Sequence, residues 1–186
     1  MSAVAASAPG RTATWGPWFG LVCRLALGGT LLVAGLLKIS DLTQAARAVN
    51  AYRLFDPSVA NAMGYALPPL EICIGLLLIV GLFTRAAAAA AGLLMLAFII
   101  GVVSVWVRGY NIDCGCFGGG GDVSGAGRAW RYASEVLRDL LLLGLASWLV
   151  VLPLTRFSLD RVLRPQLYRS PDLDPIDLPD AEESGS

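Results

Sequence analysis

Four runs of the sequence are apolar for about the length that crosses a bilayer. They are "WFGLVCRLALGGTLLVAGLLK" (18–38), "ALPPLEICIGLLLIVGLF" (66–83), "AAAAAAGLLMLAFIIGVVSVWV" (86–107) and "ASEVLRDLLLLGLASWLVVLPL" (133–154). About 20 residues of helix span a hydrocarbon core of roughly 30 Å. Lipid offers the backbone no hydrogen bonds, so such a run must satisfy its own, and only the helix does so within one segment. The composition agrees, with 56% hydrophobic residues and a mean hydropathy of +0.65. The expected fold is all-α, an integral membrane four-helix bundle. The first run is longer than the 7–15 residues of a secretory core and ends in "KISD" rather than a small-residue cleavage site. It is therefore read as a retained span.

The rest of the chain is organised around these spans. Residues 1–17 read as a disordered N-terminal tail, and 155–186 as a polar C-terminal tail that turns acidic and proline-rich. Residues 18–154 form the membrane domain. Between the first two spans, "LTQAARAVNAYRLF" has a helical amphipathic rhythm, with Tyr52 and Phe55 expected at headgroup level. Pro68 and Pro69 are expected in the first turn of the second span, where the missing N–H groups cost nothing. Thr84 and Arg85 read as a tight turn. A glycine-rich loop, 108–132, precedes the last span.

Formal net charge is zero, so no general attraction to nucleic acid is expected. There is no histidine, which excludes His-ligated haem, His-containing zinc sites and any imidazole base. The positive-inside rule does not orient the spans. Arg11, Arg85, Arg156, Arg161, Arg164 and Arg169 would lie on one side; Lys38, Arg47, Arg53, Arg108, Arg128 and Arg131 on the other. The arginine cluster after the last span favours a cytoplasmic C-terminus and an outward-facing glycine-rich loop.

That loop holds "NIDCGCFGGGG" (111–121). Thiols two positions apart can close only a small, strained disulfide, which is easily reduced and suits exchange. Gly115 between them gives the backbone freedom to close. Cys114 and Cys116 are thus the candidate catalytic pair, with incidental loop cysteines as the alternative. A zinc centre wants four soft ligands, which only two loops sharing an ion across a dimer could assemble, and no metal is expected. The glycine run lacks G-K-[ST], so it reads as a flexible tether rather than a phosphate cradle.

Ionisable residues inside spans are costly and are functional candidates. Lys38, Glu71, Cys73, Glu135, Arg138 and Asp139 all fall toward the loop end of the membrane. Glu71 is expected to pair with Arg138 or Lys38, and Glu135 with Arg138 at i, i+3. Asp139 then needs another partner. Cys73 is a candidate resolving thiol, against the reading of a small core residue. Lys38, Arg108 or Arg138 could raise the thiolate fraction of the pair. Arg24, toward the other end, is expected to snorkel or pair internally.

"AGLLKISDL", "LPPLEICIGLLLIVGL", "CGCFGG" and "LRDLLLL", in that order, resemble the MauE branch of the DoxX-like membrane proteins, the methylamine utilisation family, over roughly 18–152. The resemblance implies a four-helix protein of the bacterial cytoplasmic membrane. It also implies a role in maturing methylamine dehydrogenase with a thioredoxin-like partner, and thiol chemistry at Cys114 and Cys116. The leading expectation is a membrane thiol–disulfide oxidoreductase. It would relay electrons between a thioredoxin-like or DsbA-like extracytoplasmic protein and a membrane partner, with a quinone as the candidate cofactor. The alternatives are a non-enzymatic assembly factor with a structural CGC pair, and a small-molecule carrier lined by Glu71 and Arg138.

Overall fold

A computed structural model describes residues 16–115, 121–122 and 127–152. The described chain is mostly helical. Its elements are α1 (Gly16–Ile39), α2 (Leu42–Ala51), α3 (Pro57–Val80), α4 (Thr84–Val107), β1 (Ile112–Asp113), β2 (Gly121–Asp122) and α5 (Arg128–Val151). Three of the five helices, α1, α3 and α4, are long and apolar enough to cross a membrane. The fourth long helix, α5, has the same 24 residues, about 36 Å of helix. It is less apolar because Arg131, Glu135, Arg138 and Asp139 occupy its first half.

Contacts run from α1 to α3, α3 to α4, α4 to α5 and α5 back to α1, while α2 lies on α3. The α1–α3 crossing is tight because small residues line it. A Cβ on Gly75 would stand 2.8 Å from the Gly28 carbonyl oxygen and from the Leu32 nitrogen. Close backbone approach at small residues is how helices associate where there is no water to expel. The same approach carries the end of α1 onto the first half of α3, one turn from Glu71.

The short helix α2 begins at an N-cap, Asp41, whose carboxylate accepts the Gln44 N–H at 2.9 Å. Its buried face is Ala45, Ala46 and Ala48, and Gly64 of α3 lies directly against the Ala46 backbone.

Helix α3 starts at Pro57, not near residue 66, so Pro68 and Pro69 lie inside it rather than in its first turn. Proline at the first helical position starts this helix well. The interior pair is tolerated because neighbouring helices support the backbone around it. Helix α3 ends on Gly81, φ 74°, whose N–H bonds to the Leu77 carbonyl at 2.9 Å. The turn into α4 is therefore Gly81–Phe83; Thr84 and Arg85 already belong to α4.

Two apolar cores form. One gathers Cys23, Leu27, Leu31, Ile74, Leu78, Ala87, Ala88, Ala91, Met95, Leu142, Ala146 and Leu149. The other, at the loop end, is Val102, Val105, Ile112 and Tyr132. On α5, Glu135, Arg138 and Asp139 fall between Tyr132 of the second core and Leu142 of the first. On α5 the buried positions 132, 135, 139, 142, 146 and 149 make one inward stripe, the three-and-four spacing of a helix face. Leu137, Leu140 and Leu141 face outward. Arg24 is fully buried rather than snorkelling to the surface.

Candidate functional site

The CGC segment does not begin as a free tether. Strands β1 and β2 pair antiparallel, Ile112 with Asp122 and Asp113 with Gly121. Buried Tyr132, on the first turn of α5, holds the segment that leads into them. Its hydroxyl accepts the Ile112 N–H at 2.9 Å and donates to the Tyr110 carbonyl at 2.9 Å. Tyr52, just after α2, donates from its hydroxyl to the Cys114 carbonyl at 3.1 Å, with its ring packed on Gly101 of α4. Gly115, φ 67°, turns the chain and donates its N–H to Asp113 Oδ1 at 3.2 Å. Most of the glycine run expected to act as a tether, and Cys116 with it, lies outside the described residues.

Cys114 is half-buried. Its thiol hydrogen-bonds the Glu135 carboxylate, and donor atoms of Asp113, Cys114 and Glu135 lie within 4.8 Å of one another. Glu135, 8% exposed, sits one turn beyond Tyr132 on the inward stripe of α5. One residue pair on one helix face thus anchors the loop and meets its first cysteine.

Below this lies the charged layer. Lys38 Nζ donates to both Glu71 carboxylate oxygens, at 2.6 and 2.8 Å, and stands 5.7 Å from the centre of the Phe98 ring. The two residues are 8% and 0% exposed. Of the two partners expected for Glu71, the one it takes is Lys38. Arg138 bonds through Nε and Nη2 to Asp139 Oδ1, each at 2.9 Å. This corrects the expectation that Arg138 pairs with Glu135 and leaves Asp139 in need of another partner. The long arginine side chain folds back to its neighbour, and Asp139, 1% exposed, stays buried.

Two small cavities flank the Lys38–Glu71 pair. One is lined by Tyr52, Gly64, Pro68, Phe98, Lys38, Cys114 and other residues of α2 and α3. The other is lined by Thr30, Glu71, Met95, Phe98, Arg138 and Asp139 among others. Each has room for a water or two. Lys38 therefore shares a cavity wall with Cys114, while Glu71 shares one with Asp139.

Other expectations meet different outcomes. Cys73 does not join the cluster: it is exposed on the outward face of α3, beside Leu70 and Leu76. Arg108 spends its guanidinium on the Tyr52 and Arg53 carbonyls and stacks 5.0 Å from the Tyr110 ring. The sequence reading missed Tyr132, Asp113 and the loop-holding role of Tyr52. The signal for Tyr132 was its place three residues before Glu135, on the same helix face.

The order of these features along the chain has a known counterpart. The family model described as methylamine utilisation protein MauE matches residues 16–152. The chain belongs to the MauE family. It is an integral membrane protein, as its three membrane-length apolar helices and its family together indicate. No curated protein and no solved structure matches it. The MauE match covers every described helix and takes in Lys38, Glu71, Cys114, Glu135, Arg138 and Asp139.

Proposed function

We propose that this MauE-type protein is a four-helix membrane thiol–disulfide relay in which Cys114 and Cys116 exchange with an extracytoplasmic thioredoxin-like protein. The observation that carries the reading is the setting of Cys114. It is held by a Tyr52 hydrogen bond, bonded to a buried carboxylate, and placed on a cavity shared with Lys38. A merely structural loop cysteine needs none of these.

Helix α5 serves as the fourth span in this reading. Its length supports this, as do its outward leucines and the burial of Glu135 and Asp139 on its inward face. The chemistry balances without a cofactor. The thiolate of one loop cysteine attacks the partner's disulfide, forming a mixed disulfide and releasing one partner thiolate. The other loop cysteine then displaces the second partner sulfur. The loop is left as a disulfide, oxidised by two electrons, and the partner as a dithiol. Run backwards, the same steps oxidise the partner. The loop faces outward in this reading, where disulfides persist, and the family name points to amine metabolism as the context.

Cys116→Ser leaves a single loop thiol that cannot resolve a mixed disulfide. Expressed in cells, this variant accumulates a covalent, reductant-sensitive adduct with a thioredoxin-fold protein, and Cys114→Ser/Cys116→Ser does not. Full activity of the double variant, with no adduct in the single one, sinks the relay.

A further inference from the structure

A buried carboxylate that accepts a thiol hydrogen bond has an uncommon dependence on that thiol. Glu135 is 8% exposed, and its Oε2 accepts no hydrogen bond from the described residues. Its other support is the Cys114 thiol. The loop also turns Asp113 toward it, and its own helix adds Arg138 and Asp139. One turn on, Asp139 has the same character: 1% exposed, with Oδ2 buried and unbonded among the described residues. The two carboxylates are i, i+4 neighbours, about 6 Å apart at Cβ. Asp139 borders the small cavity that Glu71 of α3 borders from the other side, and Lys38 of α1 is within electrostatic reach of it. From α4 the cavity receives Met95 and Phe98.

These residues form a descending series: thiol, Glu135, Asp139, a water-sized space, then the Glu71–Lys38 pair. Disulfide formation at Cys114 removes the S–H that Glu135 accepts. A buried carboxylate stripped of its donor either pays the full cost of an unsolvated charge or becomes neutral by taking a proton. The proton nearest to hand is the one the thiol gives up.

We propose that Glu135 is the proton acceptor for Cys114, so that oxidation of the loop thiol stores its proton on the buried carboxylates of α5 instead of releasing it to solvent. This rests on the thiol–disulfide reading and assigns the proton's route within it. Glu135 touches the reacting thiol directly and acts as its base.

The test uses the full chain in lipid nanodiscs with exposed Cys73 changed to Ser. The reduced loop is oxidised with dithiobis(nitrobenzoate) at neutral pH. Two thiols and one reagent disulfide give one loop disulfide, two nitrothiobenzoate anions and two protons. Appearance of the anion counts the disulfides, and a pH dye counts protons in bulk. The expected result is about one bulk proton per disulfide rather than two. Infrared difference spectra of the same step show a new protonated-carboxyl band, which is absent in Glu135→Gln. Two bulk protons and no carboxyl band overturn the inference while leaving the relay standing. A band that survives in Glu135→Gln overturns the assignment to Glu135. Failure to form a loop disulfide overturns both readings. The wild-type proton count decides the matter even if Glu135→Gln does not fold.

Discussion

Replacing Lys38 with Met should destabilise the protein more than replacing Glu71 with Leu. Both variants break the same ion pair, whose ammonium spans the two carboxylate oxygens at 2.6 and 2.8 Å. Removing one partner of a buried pair costs about 3–5 kcal/mol, because the other is left as an uncompensated buried charge. The residue left behind decides where in that range the cost falls. In Lys38→Met the orphan is Glu71, which is 0% exposed on the inward face of α3. In Glu71→Leu the orphan is Lys38, which borders the cavity reached by Cys114 and lies beside the Phe98 ring. A flexible ammonium can turn into that space and be solvated there. A chain of this size shifts its melting point by about 2–4 °C per kcal/mol. Lys38→Met should therefore lower it by roughly 6–20 °C. Lys38→Met/Glu71→Leu, which leaves neither charge, should recover much of the loss. Recovery is incomplete because Lys38 also supports Asp139. Thermal unfolding in detergent, followed by intrinsic fluorescence, measures all three variants. A Lys38→Met shift below about 2 °C, or a double variant as unstable as the two single losses added together, refutes the argument.

Tyr132→Phe removes the hydroxyl that accepts the Ile112 N–H and donates to the Tyr110 carbonyl. An unsatisfied buried amide costs about 1–3 kcal/mol, so amide exchange at 110–115 should speed up about 5- to 150-fold while the helices keep their protection; unchanged exchange means the hydroxyl does not hold the loop. Asp41 lies outside the spans, and its carboxyl is held below the usual carboxylate range first by the Thr43 hydroxyl and then by the Gln44 N–H. A depressed folded-state pKa contributes stability above the unfolded-state value and loses it as pH falls through the folded value. Asp41→Ala should therefore lower the melting point at neutral pH, and the gap from the wild type should close in acid below the ordinary carboxylate range; a gap independent of pH rejects the cap.

The spans and charged layer were legible because lipid imposes simple rules. Length and hydropathy located three of the helices, and the cost of charge in an apolar span singled out Lys38, Glu71, Glu135 and Asp139, which are buried, and Arg138, which is half-buried. Pairing was harder to read. Glu135 to Arg138 is the favoured spacing on a helix surface, but it ignores what a long guanidinium does when its neighbour Asp139 is buried against other helices. The start of α3 was misplaced because apolarity marks where a helix enters lipid, not where it begins. Pro57, well before the apolar run that begins at Ala66, carries the true start. The anchoring of the loop's first residues was not legible for a related reason. Composition reports the glycines, whereas the segment 110–114 is held by two tyrosines distant in sequence, Tyr52 at Cys114 and Tyr132 at Tyr110 and Ile112, whose hydroxyls reach it only once α2, α4 and α5 have packed.

That packing also explains why the thiol and the buried charges occur together. Buried carboxylates reduce stability unless something requires them, and an apolar interior of the same shape would hold these helices at least as well. Glu135 and Asp139 each keep a buried oxygen without a hydrogen bond among the described residues, which no need for helix register explains. A register clasp would be saturated, as Lys38 and Glu71 are. Two carboxylates one turn apart on α5, the first bonded to a thiol and the second beside a cavity, are the groups that the proposed proton route uses. The saturated pair and the unsaturated pair thus divide the work of one polar layer. Lys38–Glu71 fixes the α1–α3 crossing, and α5 keeps its carboxylates open toward Cys114.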